Sequence, residues 1–150
     1  EMPEVQAVMV GPESLAAQAP ANVLVRAYVP QLELLDHVDG VICHAGHNTV
    51  CEALSRGLPM IVAPIRDDQP VIARQVIDAG AGLFMRHGKV SPIVARNTIE
   101  KLLATPSLAE HARRLAQDFL TAPGAAGAAD LVAALAAAPR PVSGPLLQVA

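Results

Sequence analysis

Five short apolar runs recur at 5–10, 23–28, 40–43, 58–63 and 82–85, each followed by glycine, proline or polar residues. Their length, their Val and Ile content and the lack of a strict apolar-polar alternation predict strands buried on both faces. The stretches between and after them have helical character. Residues 32–35 make a short helical turn, 50–56 a helix stopped by Gly57, and 71–79 one ended at Gly80. Ser91 caps a helix that has Pro92 at its first position and runs to 103, and Ser107 with Glu110 forms a capping box for one through 119. Alanine-rich 124–138 predicts a last helix. Buried strands separated by helices predict an α/β fold with a doubly wound parallel sheet, whose ligands bind beyond the carboxyl ends of the strands.

Composition narrows the function classes without naming one. The 150 residues are 52% hydrophobic and 17% charged, enough for one globular domain with a real core. We read 1–138 as that domain and the Pro- and Gly-containing stretch 139–150 as a disordered tail. A net charge of -3 gives no electrostatic footprint for nucleic acid, and one Tyr, two Phe and no Trp make no stacking platform for bases. No apolar run approaches the ~18 residues of a membrane span and no signal peptide opens the chain, so the expected location is cytoplasmic. Cys43 and Cys51 fall at apolar positions and are read as buried free thiols.

The candidate chemistry lies where the third apolar run ends. His44-Ala45-Gly46-His47-Asn48-Thr49 joins a strand to a helix through small and hydrogen-bonding residues, with Glu52 one turn further on. Free N–H groups and the positive end of a helix dipole converge at such a turn, which makes it an anion pocket suited to a phosphate or diphosphate. Gly46 permits close backbone approach, and Asn48 and Thr49 supply donors. Glu52 can accept from ribose hydroxyls or stand as a solvated helix glutamate. The loop after the fourth strand carries Arg66, Asp67, Asp68 and Gln69. Arg66 and Asp67 are read as a surface ion pair, His47 as a loop-surface residue, and Tyr28, apart from any ligand, as a strand-end aromatic covering the core. His37, Arg74, Arg86, His87, Arg96, His111, Arg113 and Arg114 are read as solvated faces or helix-end charges. Metal ligation by Cys43, His44 and His47 is disfavoured, because neighbouring strand residues point oppositely and no CxxC pair supports zinc.

The ordered set Tyr28-x-Pro30-Gln31, His44-x-Gly46-x-Asn48-Thr49, Glu52, Gly57-x-Pro59, Pro64 and Asp68-Gln69 resembles the donor-binding signature in the C-terminal half of GT-B glycosyltransferases, family 1, over about residues 5–120. The resemblance implies a Rossmann-like half of a GT-B enzyme that binds a nucleotide diphosphate sugar, UDP- or TDP-hexose, without cofactor or metal. It assigns Tyr28 and Gln31 to base and ribose, His44, Gly46, Asn48 and Thr49 to the diphosphate, Glu52 to the ribose, and Asp68 and Gln69 to the transferred sugar. His44 then stabilises the leaving group of an inverting transfer. The catalytic base of that reaction lies in an N-terminal domain that also holds the acceptor, a small lipophilic natural product in bacterial relatives such as those of antibiotic biosynthesis. The chain is therefore read as a fragment lacking that domain and its own first strand-helix unit, inactive alone. A nucleotide-sugar epimerase of the same fold and a non-catalytic nucleotide-binding module are the alternatives. The Asp68-Gln69 pair and Glu52 favour the transferase.

Overall fold

The computed structural model describes residues 2–138, in which five strands and six α-helices alternate as far as the fifth strand and the last three helices follow one another. Strand β1 (Ala7–Val10) leads through a 3-10 turn (Glu13–Gln18) to β2 (Val23–Arg26), and α1 (Gln31–Leu35) leads to β3 (Val41–Cys43). Then come α2 (His47–Ser55), β4 (Met60–Val62), α3 (Gln69–Asp78) and β5 (Gly82–Phe84). Helices α4 (Pro92–Ala104), α5 (Pro106–Thr121) and α6 (Gly124–Ala137) complete the described chain.

All strand pairing is parallel, as the apolar runs predict, but it forms two sheets rather than one. One is β1-β2 and the other β3-β4-β5, so β1 and β3 each pair along one edge only among the described residues. The consequence is visible in burial. Central β4 has Met60, Ile61 and Val62 at 0% exposure, whereas Val8, Met9 and Val10 of β1 remain exposed. Buried on both faces, each β4 side chain contributes about 1.5–3 kcal/mol of hydrophobic stabilisation, which makes β4 the axis of the core.

Helices cover the three-stranded sheet through stripes spaced three and four residues apart. Val50, Ala53 and Leu54 of α2, Ile72, Ala73 and Val76 of α3, and Ala112 of α5 join β4 in the main cluster, while Leu102 and Leu108 pack with Ile61 in a second. Ser91 caps α4, its hydroxyl accepting from the Val94 N–H at 3.4 Å. The capping box at Ser107 does not form as predicted. Helix α5 begins at Pro106, whose ring presets the first helical φ, and Ser107 falls inside the first turn. Residues up to Leu120 form one compact unit and those from Thr121 onward a second, which contains α6. The predicted tail at 139–150 lies outside the described residues.

Candidate functional site

Cys43 of β3 and Val62 of β4 are register partners in a parallel pair, and the Ala63 N–H donates to the Cys43 carbonyl at 2.8 Å. Parallel neighbours lie about 4.8 Å apart, so the loops that follow them, 44–46 and 64–68, leave the same edge of the sheet side by side. One loop feeds α2 and the other α3.

The first loop turns sharply. Ala45, fully buried, sits at φ 63, a left-handed conformation that costs a non-glycine residue about 1–2 kcal/mol. That turn sends Gly46 to the N-cap of α2. The exposed His44 ring folds over Gly46 so closely that a β-carbon there would meet Nε2 at 2.6 Å, which makes glycine a requirement of the ring's position. His44, Gly46, His47, Asn48 and Thr49 line an open cavity of about 340 Å³. It contains no acidic side chain and lies on the N–H end of α2, where the helix dipole is positive, so its chemistry suits an anion. A larger depression of about 450 Å³, lined by Met2, Glu4, Val5, Glu100, Leu103 and Ala104, has two carboxylates and would repel one.

One helical turn beyond the cavity stands a second kind of chemistry. Gln31, the first residue of α1, donates from Nε2 to Glu52 Oε2 at 2.5 Å and reaches Thr49 Oγ1 at 3.4 Å. Glu52 is therefore no free solvated glutamate. One carboxylate oxygen is held by Gln31, and Oε1 is left to accept from a hydroxyl. Arg56 Nε donates to Asp36 Oδ1 at 2.7 Å, a second tie between the α1 and α2 ends. Tyr28 is 81% exposed on the loop between β2 and α1, which removes the reading in which it covers the core.

The second loop also holds a left-handed residue, Asp67 at φ 56, a position that Asp tolerates through its short polar side chain. Its carboxylate meets Arg66 Nε at 3.4 Å, the surface ion pair expected. Asp68 is the N-cap of α3 without a side-chain cap bond, and its exposed carboxylate makes no hydrogen bond among the described residues. Gln69 differs. Its Oε1 accepts from the Ile65 and Arg66 N–H groups at 2.9 and 3.1 Å, so the side chain braces the loop and keeps only its amide N–H₂ for a ligand.

His47 is not a loop residue but the first residue of α2, lining the cavity with its Nε2 3.7 Å from Cys51 Sγ one turn on. Both thiols are free and only partly buried, and burial raises both pKa values above the ordinary thiol range. At Cys43 an Ala45 N–H bond partly offsets the rise; at Cys51 the Glu52 charge adds to it. Among the described residues no group of three or more His, Cys, Asp or Glu side chains is placed to hold one metal ion, and no single helix is long and apolar enough to cross a membrane.

The sequence reading of His111 as a solvated charge fails, whereas Arg113 is exposed as read and only its stem is engaged. His111 Nδ1 lies 3.2 Å from the Gly80 carbonyl, and the Arg113 stem packs against Gly57. The signal available in sequence was their spacing around Ala112, which is fully buried.

Comparison with known proteins shows the family and the fold. The family described as erythromycin biosynthesis protein CIII-like, C-terminal domain, matches residues 5–135. An uncharacterized UDP-glucosyltransferase, YojK of Bacillus subtilis (strain 168), is 36% identical over 113 residues, covering 75% of this chain and 28% of that protein. The 4'-demethylrebeccamycin synthase of Lentzea aerocolonigenes is 31% identical over 116 residues, 77% of this chain and 28% of its own length. Among solved structures, the glycotransferase of kitacinnamycin superposes with a TM-score of 0.80 at 30% identity over 89% of this chain and 36% of its own. The fold is thus the mixed α/β, Rossmann-like C-terminal half of GT-B glycosyltransferases, and the chain spans roughly a third of the length of the relatives it matches.

Proposed function

The chain belongs to the family of erythromycin biosynthesis protein CIII-like C-terminal domains, and from that premise we propose that it binds a nucleotide diphosphate sugar, a UDP- or TDP-hexose, as the donor half of an inverting, metal-independent glycosyltransferase. The reading takes residues 1–138 as the donor domain, with every assigned residue in the unit that ends at Leu120. The observation that carries it is the succession along α2 of an acid-free cavity at the helix start and a carboxylate, Glu52, one turn on and tied to Gln31. A diphosphate followed by a ribose needs that order: donors first, then an acceptor.

In this reading His44 and the N–H groups at the start of α2 hold the diphosphate, with Asn48 and Thr49 as further donors. Glu52 accepts from the ribose, Gln31 holds Glu52 and lies beside the base, and Tyr28 stacks on it. Asp68 accepts from hydroxyls of the hexose, and the Gln69 amide donates to one. Transfer proceeds by one displacement. An acceptor hydroxyl of a small lipophilic molecule attacks the anomeric carbon, the bond from that carbon to the diphosphate oxygen breaks, and a base in the acceptor domain takes the hydroxyl proton. The departing diphosphate gains charge, which the α2 dipole and a His44 hydrogen bond stabilise. The chain alone binds donor and transfers nothing, because positioning of the acceptor and the base both belong elsewhere.

Titration calorimetry with UDP and TDP, in EDTA and again with magnesium, tests this. Binding without metal is expected, and His44→Ala should weaken it about 10- to 150-fold, the worth of one charge-assisted hydrogen bond. Undiminished affinity in His44→Ala, or binding that needs magnesium, rejects the diphosphate assignment.

A further inference from the structure

Helices α2 and α3 begin at the proposed site, and both end in the same way. At the end of α2 the Leu58 N–H donates to the Ala53 carbonyl and the Gly57 N–H to that of Leu54; at the end of α3, Ala81 donates to Val76 and Gly80 to Ile77. Each pair is a Schellman motif, with glycine in the left-handed region at φ 69 and 71 and a buried apolar residue after it. One segment of α5 meets both ends. A β-carbon on Gly80 would lie 2.7 Å from His111 Nδ1, and one on Gly57 would lie 2.8 Å from Arg113 Cγ and 3.1 Å from its Cα. Ala112 between them is fully buried in the main core.

We propose that His111 and Arg113 are positioning residues that set the donor site from its far side, His111 through α3 on the Asp68-Gln69 sugar pair and Arg113 through α2 on the diphosphate loop. The inference deepens the reading of the site given above and rests on it. The physical basis is length. Helices of nine and ten residues are stiff rods of about 14–15 Å, so a shift at one end appears at the other. His111 donates to a carbonyl at the negative end of α3, and the Arg113 stem closes off the α2 glycine while its guanidinium stays in solvent. A segment with both side chains two residues apart fixes the ends of the two rods relative to each other, and hence the spacing of the two loops.

Three variants test it: His111→Leu, which keeps bulk and loses the bond, His111→Asn, which restores a donor near the Nδ1 position, and Arg113→Ala. Amide hydrogen exchange follows Ile65 and Arg66, whose N–H groups Gln69 holds, and Val50, whose N–H donates to the Gly46 carbonyl at the start of α2; calorimetry with UDP and UDP-glucose gives affinities. His111→Leu is expected to speed exchange at 65 and 66 roughly three- to tenfold and to lower the advantage of UDP-glucose over UDP by a similar factor, with UDP affinity kept. His111→Asn should recover both. Arg113→Ala should speed exchange at Val50 and weaken both ligands together. A role confined to stability lowers the melting temperature of His111→Leu and Arg113→Ala while leaving local exchange and ligand ratios at wild-type values, and that result overturns the proposal. Wild type that binds neither ligand rejects the site reading instead, and the exchange arm still decides whether α5 reaches the loops.

Discussion

Gly46→Ala isolates the geometry of the proposed diphosphate contact better than removal of the histidine itself. Gly46 sits at φ -65 and ψ 135, which alanine adopts without strain, so the backbone does not object. The three atoms nearest the added methyl all belong to the His44 ring, at 2.6 Å for Nε2, 3.3 Å for Cε1 and 3.4 Å for Cδ2. That ring is the exposed end of a side chain with two free torsions and swings away at little cost. Stability therefore changes only by the poorer N-cap, about 0.5–1 kcal/mol, or roughly 2–4 °C of melting temperature for a domain this size. Ligand binding changes far more, since the swung ring no longer faces the cavity. Losing a charge-assisted hydrogen bond costs about 1.5–3 kcal/mol, roughly 10- to 150-fold in the dissociation constant for UDP.

The assay is a double-mutant cycle by calorimetry with wild type, Gly46→Ala, His44→Ala and the double variant. If the methyl acts through the ring, the two single changes cost the same and the second costs nothing once the first is made. Additive losses would falsify the reasoning, because they mean that the methyl obstructs the ligand directly. Wild-type affinity in Gly46→Ala would mean that the ring's place over Gly46 has no part in binding.

Two further outcomes follow from the same geometry. Asp68→Ala, which removes a carboxylate with no protein partner, should leave UDP affinity within about twofold and abolish the advantage of UDP-glucose, a loss near 2 kcal/mol or about thirtyfold, read by calorimetry; equal weakening of both ligands would make Asp68 a support of the pocket. Burial raises the Cys43 thiol above its ordinary value of 9.0, so the folded chain holds that proton more tightly than the unfolded chain. Its contribution to stability is complete below about pH 9 and falls as pH rises through the folded value; urea titrations should show a decline above pH 9 that Cys43→Ala reduces, and an unchanged decline in the variant would assign it to other groups.

The fold was legible where the sequence is locally consistent. All five apolar runs became strands and every predicted helix formed, because Val- and Ile-rich runs bounded by Gly and Pro, and helical spacing, leave a clear local record; burial on both faces, read for all five strands, holds only for β4. Boundaries moved where helix starts compete with loops: α2 begins at His47 rather than 50 and α3 at Gln69 rather than 71, which brings His47 and Gln69 inside helices. The division into two sheets was not legible, since a buried strand reads the same whichever strand it pairs with. Nor was the state of individual polar atoms. The motif marks Gln69 and Glu52 equally as ligand groups, yet Gln69 Oε1 is engaged by two backbone N–H groups and Glu52 Oε2 by Gln31.

What no local pattern records is the strain shared by the two loops. Ala45 and Asp67 are the non-glycine residues with positive φ among those described, and they stand just after β3 and β4, the adjacent strands from which the candidate site springs. Each costs on the order of 1–2 kcal/mol and persists only because its surroundings fix it: Ala45 by complete burial, the 64–68 loop by the two bonds to Gln69. A glycine at either place would relieve the strain and loosen the loop. The residues found there are the stiffer choice, and stiffness has a use if donors must hold a geometry before the ligand arrives. Such preorganisation acts on the two loops from both sides. The left-handed turns aim the loops from the front, the α5 contacts at Gly57 and Gly80 hold the same two helices from behind, and a ligand at the proposed site would meet groups whose ordering cost has already been met in folding.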